Sequence, residues 1–66
     1  MLLQNMTAGQ NGVISKCTNP KLEKLGFKRD TSIRIASKNG GNFVVEINGT
    51  KVLITDQLSR QVSVYG

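Results

Sequence analysis

The groups in this chain that could do chemistry are few. Its carboxylates are Glu23, Asp30, Glu46 and Asp56, its single thiol is Cys17, and histidine is absent. Acid–base catalysis needs two titrating groups whose surroundings push their pKa values apart. Each carboxylate here has a structural post instead. Glu23 falls on the solvent side of a short helix, Asp30 in a turn, Glu46 across a hairpin from Lys51, and Asp56 at a helix start with Arg60 four residues on. Cys17 precedes a helix N-terminus, where a thiolate would be stabilised. Without histidine as its base, a thiol–imidazole pair is excluded. Cys17 reads as a small apolar residue, buried or half-buried. One thiol with scattered carboxylates does not make a structural zinc site, and ferrous iron favours histidine or clustered carboxylates. Asn39-Gly40-Gly41 is glycine-rich but joins two strands, and the G-x-x-x-x-G-K-[ST] spacing of a phosphate cradle is missing. The residues therefore describe a chain that is not an enzyme, with no catalytic, metal or cofactor residue and no small-molecule substrate.

The formal net charge of +5 favours an anionic partner, although small soluble domains often carry a charge of ~2–8 in magnitude. Lys21, Lys24, Lys28 and Arg29 group around the helix and form the one basic patch. It reads first as a solvated or protein-docking face and second as a phosphate-binding face. Binders of single-stranded nucleic acid interleave basic residues with exposed aromatics. Here Phe27 and Phe43 are taken by the core, which leaves Tyr65. A proline-rich peptide groove also needs several aromatics, and the chain has no Trp. No stretch approaches the ~20 apolar residues that span a bilayer. The opening residues lack the basic and apolar regions of a signal peptide, and an unpaired thiol suits a reducing compartment. A cytoplasmic location is expected.

These residues need elements to hold them. The 66 residues read as one domain, 1–66, with a thin core, a loose start and a frayed last residue. Val13 and Ile14 sit in a first strand over 12–16. Asn19 can cap a helix with Pro20 in its first position. Leu22 and Leu25 share its inner face, Gly26 ends it in a left-handed conformation, and Phe27 folds back onto Leu22. Residues 31–36 alternate, with Ile33 and Ile35 pointing one way. Residues 37–42 read as a loop. Asn48-Gly49 is the preferred pair for a two-residue type I′ turn. That turn sets Ile47 opposite Thr50, Glu46 opposite Lys51, Val45 opposite Val52, Val44 opposite Leu53 and Phe43 opposite Ile54. Phe43, Val45, Ile47, Val52 and Ile54 then face the core, while Val44 and Leu53 are either covered by the helix or exposed. Thr55 caps a helical turn with Leu58 inward, and Val62 and Val64 form a last strand.

The expected fold is mainly β: a small SH3-like β-barrel of about five strands, with a short helix between strands 1 and 2 and a helical turn before the last strand. A closed or nearly closed barrel removes exposed edges. The expected interior is Val13 or Ile14, with Leu22, Leu25, Phe27, Ile33, Ile35, Phe43, Val45, Ile47, Val52, Ile54, Leu58, Val62 and Val64.

Gly12-Val13-Ile14, Leu22-x-x-Leu25-Gly26-Phe27, Thr31-x-Ile33-x-Ile35, the run from Phe43 to Ile54 and Val62-x-Val64 together resemble a FeoA-type domain. The likeness covers about Gly9 to Val64, and the L-G-F stop before a T-x-I-x-I strand is its most specific element. The resemblance implies an SH3-like barrel with a helical insertion, serving as a cytoplasmic accessory protein of bacterial ferrous-iron uptake. The implied partner is a FeoB-like inner-membrane iron permease with a cytosolic GTPase-like domain, which would bring the chain near the membrane. Similar domains form the C-terminal module of metal-responsive transcription repressors. The helix is about one turn shorter than is usual for the family, and Arg29-Asp30 stands where the family favours Pro-Gly. Leu22, Lys24, Leu25, Gly26 and Phe27 are expected to shape the docking face, with Val44 and Leu53 as further exposed contacts. The alternative function is a small basic SH3-like barrel that binds nucleic acid.

Overall fold

The computed structural model describes residues 1–66. A 3-10 turn over Leu3–Asn5 is followed by β1 (Asn11–Cys17), α1 (Pro20–Lys24), β2 (Ser32–Asn39), β3 (Asn42–Ile47), β4 (Thr50–Ile54), α2 (Asp56–Ser59) and β5 (Val62–Val64). The strands form one antiparallel 5-stranded sheet in the order β4-β3-β2-β1-β5. The SH3-like element order is the expected one. Closure is not: no ladder joins β4 to β5, and α2 links them in its place.

Two irregularities curve the sheet. The register slips between Ile14 and Lys16 in β1 and between Ile35 and Ser37 in β2. A bulge bends its strand and increases the local twist. Side chains from every strand thereby meet in a single cluster of 13 buried residues. Ile14, not Val13, enters that cluster from β1.

The β3–β4 hairpin has the register its turn dictates, from Ile47 opposite Thr50 to Phe43 opposite Ile54. Asn48 and Gly49 adopt φ of 51° and 78°, as a type I′ turn requires. Phe43, Val45, Ile47 and Ile54 are buried, whereas Val52 is half-buried because nothing flanks β4 on its outer side.

Three expectations need correction. Residues 37–42 are not a six-residue loop: Asn39 pairs with Asn42, leaving a two-residue turn at Gly40 and Gly41. Gly40 takes φ of 62°, and a Cβ on Gly41 would lie 2.8 Å from Asp56 Cβ, so the tight turn fits against the start of α2. The start of the chain is not loose. Leu3 and Met6 are fully buried, the Met1 ammonium donates to Val64 O (3.0 Å), and Val64 N–H donates to Met1 O (2.7 Å). With the Leu2–Ser63 bridge, this segment lines the outer side of β5. Finally, Leu25 lies outside the core, 53% exposed, because the chain leaves α1 there. Leu58 is partly buried against the core.

Candidate docking surface

The end of α1 is held by a dense set of local contacts. Asn19 Oδ1 accepts from the N–H groups of Lys21 (2.9 Å) and Leu22 (3.3 Å), satisfying donors that a helix start leaves orphaned. Its Nδ2 donates to Gln61 Oε1 (2.7 Å), tying the cap to the approach to β5. At the other end Gly26 N–H donates to Glu23 O and Phe27 N–H to Leu22 O, each at 3.1 Å. This is the paired-bond stop of a Schellman motif. Gly26 has φ of 108°, and a Cβ there would lie 2.7 Å from Asn48 Nδ2. The helix stop therefore lies against the β3–β4 turn; the backbone conformation calls for glycine, and a side chain there would also have to displace the Asn48 amide.

Leu22 and Phe27 are buried beneath this stop, so they support the surface without being part of it. Lys24 and Leu25 stand on it, exposed. Beside them a shallow groove of about 430 Å³ opens between β1 and α1, lined in part by Lys16, Cys17, Glu23, Lys28 and Arg29. Cys17 Sγ–H points to Asn19 O at 3.6 Å and packs partly against the core. Arg29 Nε donates to the Tyr65 hydroxyl (3.3 Å), which donates to Asp30 Oδ1 (3.0 Å). The hydrogen bond to Tyr65, and then the electrostatic attraction of Tyr65 and of Asp30, hold the Arg29 guanidinium above its ordinary pKa, against an opposing effect of desolvation. Asp30 itself sits at φ of 70°. Neighbours in sequence cannot reveal this trio, because Tyr65 arrives from the far end of the chain.

Val44 and Leu53 form a second patch. They face each other across β3 and β4, with Val44 half-buried and Leu53 63% exposed, so the helix does not cover them. They stand four residues up the hairpin from the Asn48–Gly49 turn that touches α1, a rise of ~13 Å. The expected docking residues thus fall into two separate patches, with Gly26 as the joint that fixes the first.

Glu46 lies opposite Lys51, as the hairpin register requires. Its carboxylate nevertheless bonds the other neighbour: Arg34 Nη1 reaches Glu46 Oε1 at 3.4 Å across β2 and β3. The Asp56–Arg60 pair expected on α2 is present at 3.0 Å. No three His, Cys, Asp or Glu side chains come together, and no helix is long and apolar enough to cross a membrane.

A model of the FeoA domain matches residues 1–65 of the chain. The protein belongs to the FeoA domain family. Its fold is similar to that of an iron uptake regulatory protein (FeoA) known from a crystal structure, with a TM-score of 0.87 and 18% identity over 97% of this chain and 93% of that one. It is also similar to a manganese-dependent transcriptional repressor, with a TM-score of 0.84 and 17% identity over 97% of this chain. There the FeoA-like unit spans 40% of the repressor. At these identities the likeness is one of fold. No curated protein sequence matches the chain.

Proposed function

We propose that this FeoA-family chain is an accessory protein of bacterial ferrous-iron uptake that works by docking on the cytosolic part of a FeoB-like permease. The observation that supports this most is the family match over residues 1–65, joined to the likeness to an iron uptake regulatory protein. The surface is consistent with a protein contact. Lys24 and exposed Leu25 are presented on a helix end whose geometry is fixed from below by buried Leu22 and Phe27 and from the side by Asn48. An apolar side chain held rigidly among cations suits a partner surface that is apolar with acidic surroundings. In this reading the chain acts in the cytoplasm as a single unit, contributes binding and no chemistry, and reaches the membrane only through its partner.

The test is a binding titration of the chain against the GTPase-bearing cytosolic part of such a permease. Saturable binding that Leu25→Glu weakens by about tenfold or more, with folding retained, is the expected result. No binding by the unsubstituted chain would remove the reading.

The basic groove beside α1 favours a second reading, contact with nucleic acid. It predicts a mobility shift with random DNA or RNA that fades steeply between low and moderate salt. Absence of any shift at low salt excludes it.

A further inference from the structure

The two outer strands of the sheet are treated differently. The outer side of β5 is lined by Met1 and Leu2, through the Val64–Met1 bonds and the Leu2–Ser63 bridge. The outer side of β4 has no neighbour. The type I′ turn says which groups that leaves free. In a two-residue hairpin the residues flanking the turn, Ile47 and Thr50, exchange both backbone bonds. Alternation then assigns the inward bonds to Thr50, Val52 and Ile54, and turns the N–H and C=O of Lys51 and Leu53 off the edge.

The side chains of those same two residues lie on the outer face of the sheet. Leu53 is 63% exposed, and half-buried Val44 stands beside it. Lys51 is exposed too, and its facing carboxylate, Glu46, is drawn to Arg34. The edge therefore offers, at one residue, two free backbone groups with an apolar side chain. Two residues away it offers two more with a cation that lacks a carboxylate. A backbone edge of this kind is completed by strand addition, with main-chain bonds giving affinity and alternate side chains giving selectivity.

We propose that β4 accepts an extended antiparallel strand from a partner protein, with an acidic residue opposite Lys51 and an apolar residue opposite Leu53. Read from its own N-terminus, the incoming strand carries the pattern apolar-x-acidic. A second copy of this chain does not fit that chemistry. β4 holds no acid, so antiparallel self-pairing sets Lys51 against leucine, against another lysine or, with the two Leu53 side chains opposite each other, against Thr55; none supplies a carboxylate, and like charges directly opposite are unfavourable. The inference rests on the docking reading for its biological setting and adds to it the site and the partner's sequence chemistry.

The test is amide hydrogen exchange on the intact chain, titrated with an eight-residue β-forming peptide that carries valine and, two positions later, glutamate. A control peptide has lysine in place of the glutamate. At nine-tenths saturation the Lys51 and Leu53 amides are expected to slow by about tenfold, while Val52, already bonded within the hairpin, is unchanged. Lys51→Glu should reverse the preference between the two peptides by about two- to fivefold. Lys51→Pro removes one outward donor, spares the β3–β4 bonds and should weaken binding. The proposal is overturned if Lys51 and Leu53 stay unprotected at the highest soluble peptide concentration. It is also overturned if neither chain discriminates between the peptides, or if raising the concentration of the chain alone protects the same amides. With the permease's cytosolic part as ligand, binding that leaves both amides unprotected defeats this proposal and spares the docking reading. No binding, with the peptide result intact, does the reverse.

Discussion

The end of α1 and the edge of β4 both carry an exposed leucine beside a lysine, and they are built in opposite ways. At α1 both helix ends are tied off: Asn19 caps the start, Gly26 and Phe27 close the end, and the Asn48 side chain lies beside the stop. Leu25 is presented by a rigid mount. At β4 the mount is unfinished, with the outward N–H and C=O groups of Lys51 and Leu53 facing no strand. A surface of the first kind is ready for a partner's side chains. One of the second kind asks for a partner's backbone. The comparison teaches that two exposed apolar residues of one small fold can call for different partners' chemistry.

Substitutions can break this contrast, and the largest effect is expected under α1. Phe27→Ala removes a fully buried ring and should cost about 3–5 kcal/mol in denaturant unfolding. On a chain of this size that is a large share of total stability. Leu53→Glu, by contrast, should stay within about 0.5 kcal/mol of the unsubstituted chain, since it removes little buried contact. A comparable loss at both sites would mean that β4 is not an open edge.

Gly26→Ala comes next. The left-handed backbone alone should cost about 1–2 kcal/mol, and the new methyl group meets Asn48 Nδ2. Asn48→Gly keeps a glycine-compatible turn and opens that space. The double variant should therefore be less destabilised than the sum of the two, by about 0.5 kcal/mol or more. Strict additivity would show that the helix stop and the hairpin turn do not touch. Smaller again is Asn19→Ala, which should cost about 1 kcal/mol through the lost cap. Smallest is Glu46→Gln, whose exposed pair with Arg34 should be worth less than about 1 kcal/mol.

The sequence carried most of this fold because its decisive signals are local. Asn19-Pro20, the leucine spacing before Gly26, and Asn48-Gly49 each set a backbone conformation within a few residues, and the structure has each of them. What was not legible is long-range. Leu3 and Met6 lie in a stretch with no periodicity, yet they fill the core. A Cβ at Gly12 would meet Met6 Cε at 2.9 Å, so a missing side chain in β1 makes room for a residue the pattern did not claim. Lys38 Nζ secures the same segment by donating to Gln4 O and Met6 O. Leu25 misled for the opposite reason: three residues from Leu22 it shares a helical face, but the helix has already ended there. Of the candidate surface, hairpin register placed Val44 and Leu53 together on the second face of the sheet, and the position of α1 then decided that Leu53 is exposed. The choice of Glu46 between Lys51 and Arg34 depended on how β2 pairs with β3, which short-range spacing does not specify.

The most direct test of the docking account follows the backbone amides of the full chain while the GTPase-bearing cytosolic part of a FeoB-like permease is added. The account predicts perturbation of Lys24 and Leu25, with new exchange protection at Lys51 and Leu53. A spectrum unchanged at stoichiometric excess of that partner would contradict it.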